Sequence, residues 1–145
     1  MTNDDIRSFL DRFRHAWETQ DVKGLIQCYA EDCVVVSPIF STLTGRAHVE
    51  KSYHDLVKAF ATQKIKVEDI VIGSGDPPRA VIVWNVQSTH IGEVFGMPPS
   101  GKRIDRTIAY ILTLRDGLIV KEHRIYDFTS MLMQLGALRA KPAHR

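Results

Sequence analysis

Residues 103–128 read RIDRTIAYILTLRDGLIVKEHRIYDF, two stretches in which apolar side chains recur in steps of two on either side of Arg115-Asp116-Gly117. That period and those turn residues predict an antiparallel hairpin, Arg103 to Leu114 followed by Leu118 to Phe128. Two earlier stretches, Ile65 to Ile72 and Ala80 to His90, carry the same period, and Gly75-Asp76-Pro77-Pro78 and Gly92 to Gly101 punctuate them. Upstream of Phe60 the period is helical. Ile6, Phe9, Leu10, Phe13 and Trp17 line one helix face, with Thr2 or Asn3 as N-cap and Asp4 and Asp5 in the first turn, where the helix dipole favours anions. A second helix is predicted over Val22 to Ala30, a short strand over Cys33 to Ser37, a loop through Phe40 and Gly45, and a third helix over Ala47 to Phe60. A last short helix runs from Ser130 to Leu138. Helices first and consecutive antiparallel strands afterwards predict an α+β domain rather than a doubly wound sheet.

The chain has 145 residues, 44% hydrophobic and 25% charged, with a formal charge of +2. That size and composition suit one folded domain, expected over 1–138, with residues 139–145 as a frayed tail. Its basic residues are scattered, so no concentrated footprint for nucleic acid is present. The N-terminal stretch has no signal-peptide core and no apolar run approaches membrane-spanning length, so a cytoplasmic protein without membrane or nucleic-acid partners is expected. Cys28 and Cys33 lack the further ligands of a closed zinc site and read as small buried hydrophobes. The six His form no i, i+4 pair suited to a metal, so neither metal nor cofactor is expected.

The turn at Asp116-Gly117 sets which side chains share a face. A three-residue loop pairs Leu114 with Leu118 and sets Asp105 opposite Asp127, Thr107 opposite Ile125, Ala109 opposite His123 and Thr113 opposite Ile119. A two-residue loop instead sets Arg106 opposite Asp127. The first is preferred because it groups Tyr110, Leu112, Leu114 and Val120 as one apolar surface on the other face. Two carboxylates directly opposed in a shielded cavity would resist ionising together, which suits a general acid or base, and His123 lies on the same face. Alternatively, Asp105 and Asp127 are solvated at the sheet end, or bonded to a backbone amide as a cap for the last helix.

The stretch Thr89-His90-Ile91-Gly92-Glu93-Val94-Phe95-Gly96-Met97-Pro98-Pro99-Ser100-Gly101-Lys102, then Arg115 to Val120, Tyr126-Asp127 and Gln134-Leu135-Gly136, resembles the SnoaL-like polyketide cyclases, or predicted ester cyclases. The part from Trp17 through Cys33 to Ser37 and Gly45-Arg46 is similar to the wider NTF2-like superfamily. The resemblance implies an NTF2-like cone, a curved antiparallel sheet packed on three N-terminal helices around an internal pocket. It also implies intramolecular aldol condensation by an aspartate that deprotonates carbon flanked by carbonyls, and that aspartate matches Asp127. Many relatives carry Glu-His-Trp where this chain has Lys121-Glu122-His123, so a His stands at the aromatic position expected to line the pocket.

The catalytic candidates are therefore Asp127, His123 and Asp105. Trp17, Phe13, Phe40, Trp84 and Tyr53 are candidates to line the pocket and desolvate the aspartates, although each also reads as plain core. Thr107, Ala109, Thr113 and Ile125 share the expected pocket face. His90 reads either as a substrate contact or as an anchor for the Gly92 to Gly101 loop. The expected ligand is a small hydrophobic keto or polyketide-like molecule, and the expected reaction is cyclisation or isomerisation. A hydrolase or dehydratase that activates water, and a binding module without catalysis, are the alternatives. Relatives pair through their sheets, and the apolar surface around Tyr110 and Leu112 is expected to be covered in a homodimer or homotetramer.

Overall fold

The computed structural model describes residues 1–73, 75–139 and 141, so the frayed tail expected over 139–145 lies, apart from Arg139 and Lys141, outside the described residues. The elements run α1 (Asn3–Glu18), α2 (Val22–Ile26), β1 (Tyr29–Ser37), β2 (Ser41–Thr44), α3 (Arg46–Ala59), β3 (Phe60–Gly73), β4 (Arg79–His90), β5 (Arg103–Arg115), β6 (Leu118–Ile125) and α4 (Phe128–Leu135). This is the α+β order expected from the change of period at Phe60. One curled sheet of six strands, in the order β2-β1-β6-β5-β4-β3, wraps its inner face around the helices.

Local chemistry explains the helix ends. Thr2 caps α1 with a reciprocal pair of bonds: its Oγ1 accepts the Asp5 N–H at 3.1 Å, and Asp5 Oδ2 accepts the Thr2 N–H at 2.8 Å. At the other end of the chain Gly136 takes φ +81 to close α4, a left-handed cap that suits glycine. The inner face of α1 presents Ile6, Phe9, Leu10 and Phe13, all buried, to β-strand residues such as Tyr29, Trp84 and Tyr110. Two expectations need correction here. Helix α2 stops at Ile26, and β1 starts at Tyr29, four residues before the expected Cys33. The segment read as a loop through Phe40 contains β2, which pairs Val34 to Ser37 with Ser41 to Thr44. Its Ser/Thr-rich sequence has no apolar alternation to reveal it.

The decisive feature is the β5–β6 hairpin. Asp116 and Gly117 form a two-residue turn with φ +54 and +75, the geometry that matches strand twist, and Arg115 pairs with Leu118. Leu114 then pairs with Ile119 but Thr113 with Lys121, so Val120 is an extra residue, a β-bulge. The three-residue loop is thus overturned, and the two-residue alternative holds only as far as the bulge. Past it, Leu112 faces Glu122 and Tyr110 faces Arg124. The bulge resets the alternation, so that Glu122 and Arg124 turn inward and Lys121 and His123 outward. The sheet is not purely antiparallel either. Strand β1 runs parallel to β6, with Val35 beside Glu122 and Val36 beside His123.

The Gly92 to Gly101 loop is pinned where it leaves β4. The N–H groups of Ile91 and Gly92 both donate to Ala59 O, at 2.8 and 3.1 Å. A Cβ on Gly92 would stand 2.1 Å from Lys58 O and 2.9 Å from its carbonyl carbon, both backbone atoms. Gly92→Ala is therefore expected to destabilise the protein by about 1–3 kcal/mol, since only a shift of α3 or of the loop relieves the clash. A melting temperature equal to that of the unsubstituted protein would disprove this close approach.

Candidate active site inside the cone

Even-numbered residues of β4 and β5 face the interior, and the bulge brings Glu122 and Arg124 of β6 to the same side. The result is a buried polar cluster within an aromatic core. Tyr53 and Tyr29 share a short hydroxyl contact, Tyr29 Oη donates to Glu122 Oε1 at 2.5 Å, and Arg124 Nη2 donates to Tyr53 Oη at 2.9 Å. Arg124 Nε donates to the second Glu122 oxygen. The Arg124 guanidinium also lies 5.4 Å from the Trp17 ring centroid and 5.2 Å from that of Tyr53. Burial opposes the charge on Arg124, but the Glu122 carboxylate beside it holds its proton affinity well above the ordinary value. Tyr29, Tyr53 and Tyr110 are all pushed up, chiefly by burial, so they stay protonated hydrogen-bond donors.

Beside this cluster lies a cavity of about 30 Å³ whose lining includes Trp17, Tyr53, Leu56, Phe60, Trp84 and Arg106. A second cavity, of about 10 Å³, is bounded by Phe40, Arg124 and Tyr126 and shares Trp17, Leu56, Arg106, Ile108 and Tyr110 with the first. The two are one hollow divided by shared side chains. Together they have room for only a few waters. Three buried polar atoms on the first cavity's lining residues have no partner: Trp17 Nε1, Ser88 Oγ and Arg106 Nε. Buried polar groups are ordinarily satisfied by protein or water, so these three are open to bonding with whatever fills the hollow.

The sequence-derived candidates divide sharply. Trp17, Tyr53 and Trp84 line the first cavity and Phe40 the second. Phe13 lines neither and packs among five aromatic rings instead. His90 is fully buried and anchors the following loop: its Nδ1 accepts the Ser100 N–H at 3.2 Å. The expected cluster of Asp105, His123 and Asp127 does not form. Asp105 is exposed on the outer face, accepting from Asn85 Nδ2 at 2.6 Å, and His123 is exposed as well. Asp127 is the N-cap of α4, its Oδ1 accepting the Ser130 N–H at 2.8 Å. Ala109 pairs with Ile125, not with His123. Thr107 and Ile125 are exposed and Ala109 and Thr113 half-buried, so these four belong to the outer face and not to the pocket.

The physical reason is that the apolar set Tyr110, Leu112 and Leu114 is the inner face, each at most 1% exposed within a single chain. These three side chains are therefore not available for a second copy to cover, and the argument for association drawn from them falls. The inner charges are Glu122, Arg124 and Arg106. Their signal in the sequence is their even numbering alongside Ile108, Tyr110 and Leu112. Cys28 and Cys33 are free and buried, and burial pushes the Cys28 thiol up to about 11. Among the described residues, no three His, Cys, Asp or Glu side chains are grouped so as to hold a metal ion, and no helix is long and apolar enough to cross a membrane.

Sequence comparison accounts for this arrangement. The profile of the SnoaL-like polyketide cyclases matches residues 7–135. The chain belongs to the SnoaL-like polyketide cyclase family. Comparison with curated proteins returns no match. Among solved structures, AclR of Streptomyces galilaeus, for which a hydroxylase role has been put forward, is similar with a TM-score of 0.81 and 25% identity, over 95% of this chain and 100% of its own. TsrD of Streptomyces laurentii superposes with a TM-score of 0.80 at 21% identity, covering 95% of this chain and 99% of its own. IdmH of Streptomyces antibioticus, for which a polyketide cyclase role has been put forward, gives 0.70 at 24%, covering 90% and 97%. The Gln-Leu-Gly ending of this SnoaL-like chain has a structural meaning. Gln134 accepts the Asp105 N–H at 2.7 Å and donates to Asp105 O at 2.8 Å, clamping α4 to the start of β5, and Gly136 caps the helix.

Proposed function

We propose that this SnoaL-like chain is a cofactor-free enzyme that removes a proton from carbon next to a carbonyl in an apolar keto substrate, in an aldol-type cyclisation or an isomerisation. What carries this reading is the hollow itself, aromatic and aliphatic in its walls yet holding the unpartnered Trp17 Nε1–H and Ser88 Oγ. Neutral donors in a water-poor site stabilise charge developing on a carbonyl oxygen far better than they would in water. Asp127, the residue matching the family's aspartate, is the proposed general acid and base. It engages the Ser130 amide through Oδ1, and its chain neighbour Tyr126 lines the second cavity.

In the proposed step the Asp127 carboxylate takes the proton and the C–H electron pair moves onto the carbonyl oxygen as an enolate. The enolate carbon then bonds to a second carbonyl carbon of the same molecule, and the alkoxide so formed takes the proton back. Asp127→Asn separates this chemistry from capping, because Asn caps a helix as well as Asp does. The variant is expected to keep its melting temperature while hydrogen–deuterium exchange at the carbon beside a bound ketone slows at least about 100-fold, followed by proton NMR in heavy water. Exchange at the unsubstituted rate would sink the proposal. It would leave the second reading, a binding module, which the capping role of Asp127 favours.

A further inference from the structure

Among the described residues the cone interior holds three charges, of which two cancel. Glu122 and Arg124 are paired with each other, their side chains 0% and 4% exposed. Arg106 has no carboxylate within ion-pair distance among the described residues. Its Nη1 contacts the Met131 sulfur at 3.0 Å, a weak acceptor, and its Nε is buried without any partner. Its guanidinium carbon lies 5.1 Å from the Tyr126 ring centroid and 5.8 Å from that of Phe60. Aromatic faces of this kind attract a cation but use none of its N–H donors. The groups acting on its charge are Tyr126, Tyr110 and the like-charged Arg124, and burial pulls it below its ordinary proton affinity. Arg106 is half-buried, and a guanidinium whose Nε is shut away from water without an anion is costly to the free protein. Arg106 also borders both halves of the hollow.

We propose that Arg106 is the receptor for a carboxylate on the ligand, so that the substrates of this cone are ionised keto acids rather than neutral keto esters. The inference rests on the reading of the cone as the substrate site and narrows it. Arg presents planar paired donors that fit a carboxylate, and an ion pair closed off from water gains far more than one on the surface. The carboxylate would neutralise the Arg106 charge, which no carboxylate among the described residues pairs, while Trp17 Nε1 and Ser88 Oγ remain for the carbonyl oxygen. Phosphate, larger and with more charge to satisfy, fits an apolar hollow around a single guanidinium less well.

The two tryptophans of the chain, Trp17 and Trp84, both line the first cavity, so intrinsic fluorescence reports its occupancy. The probes are 4-oxocyclohexanecarboxylate, its methyl ester and inorganic phosphate, titrated at pH 7 into the full chain, Arg106→Met and Arg106→Lys. The acid is expected to bind at least about tenfold more tightly than the ester, a preference worth about 1.4 kcal/mol. That preference should vanish in Arg106→Met, with ester affinity preserved, and persist in weakened form in Arg106→Lys. Arg106→Met should melt no lower than the unsubstituted protein, because it removes a half-buried charge that no carboxylate among the described residues pairs. A lower melting temperature would mean that Arg106 supports the fold, and would overturn the proposal.

Equal binding of acid and ester, a preference surviving in Arg106→Met, or competition by phosphate where the acid does not compete would each overturn it too. Tight binding of the ester alone would do so while leaving the cone as the substrate site. No fluorescence change with any probe would overturn both. Acid binding that depends on Arg106, together with unaltered deuterium exchange in Asp127→Asn, would uphold the carboxylate receptor and reject the catalytic reading.

Discussion

Glu122→Leu is expected to destabilise the protein by about 3–5 kcal/mol, the usual consequence of leaving a buried charge without its partner. The Glu122 carboxylate takes hydrogen bonds from Tyr29 and Arg124, and no water replaces it there because both side chains of the ion pair are almost wholly buried. Without it, Arg124 and Arg106 become two uncompensated cations within one hollow, both bordering the smaller cavity. Adding Arg124→Met to Glu122→Leu should recover most of the loss, since the apolar pair leaves neither of the two charges behind and the Tyr29 and Tyr53 hydroxyls keep their bond to each other. Urea denaturation of the two single variants and the double variant measures this as a thermodynamic cycle. If the loss in the double variant equalled the sum of the two single losses, the coupling between Glu122 and Arg124 would be disproved.

Phe13→Ala is expected to cost a comparable amount, about 3–5 kcal/mol, for a different reason. Phe13 is fully buried, and its ring lies 5.6 Å from that of Tyr110, 5.8 Å from Trp84, 6.3 Å from Phe9 and 6.4 Å from both Trp17 and Tyr29. It joins α1 to β1, β4 and β5 at one point, so truncation leaves a void that no single neighbour can fill. Phe13→Leu keeps most of the volume and should cost much less. Equal midpoints for the Ala and Leu variants in urea would show that the site collapses freely and that the aromatic cluster is looser than these distances indicate. A second readout follows from geometry. Trp17 packs edge-on against Phe13 and lines the hollow, so Phe13→Ala should also shift the tryptophan emission.

Much of the fold was legible because periodicity is a local property. The steps of two from Phe60 onward and the helical spacing of Ile6 to Trp17 named the main elements, and Thr2, Asp116-Gly117 and Gly136 marked ends that depend on near neighbours alone. The partition of β5 into two faces was legible too, whereas Ile119 and Val120 of β6 were assigned to the wrong faces because the turn has two residues and a bulge follows it. Tyr110, Leu112 and Leu114 do share one face, and Asp105, Thr107 and Ala109 the other. The assignment of which face is inside was reversed. Burial of the more apolar face would have placed it correctly, but Arg106, Glu122 and Arg124 lie on that face, and the expectation of a catalytic Asp127 drew the pocket to the other. The short β2 and the parallel pairing of β1 with β6 left no trace because neither depends on alternation within its own segment.

The amino-acid sequence by itself determined the α+β order, the cap of the first helix, the place of the turn at Asp116-Gly117, and membership in the SnoaL-like family over residues 7–135. The tertiary structure alone decided the register. One extra residue at Val120, absorbed where β6 meets β5, exchanges inside for outside along the rest of the strand. It also decided which charges meet. Glu122 and Arg124 are two apart on one strand and would be neighbours anywhere, but only the curl of the sheet closes Tyr29 and Tyr53 over them and leaves Arg106 within the same hollow without an anion. Such pairing depends on contacts between residues distant in the chain and on the exclusion of water, and neither is written in local spacing.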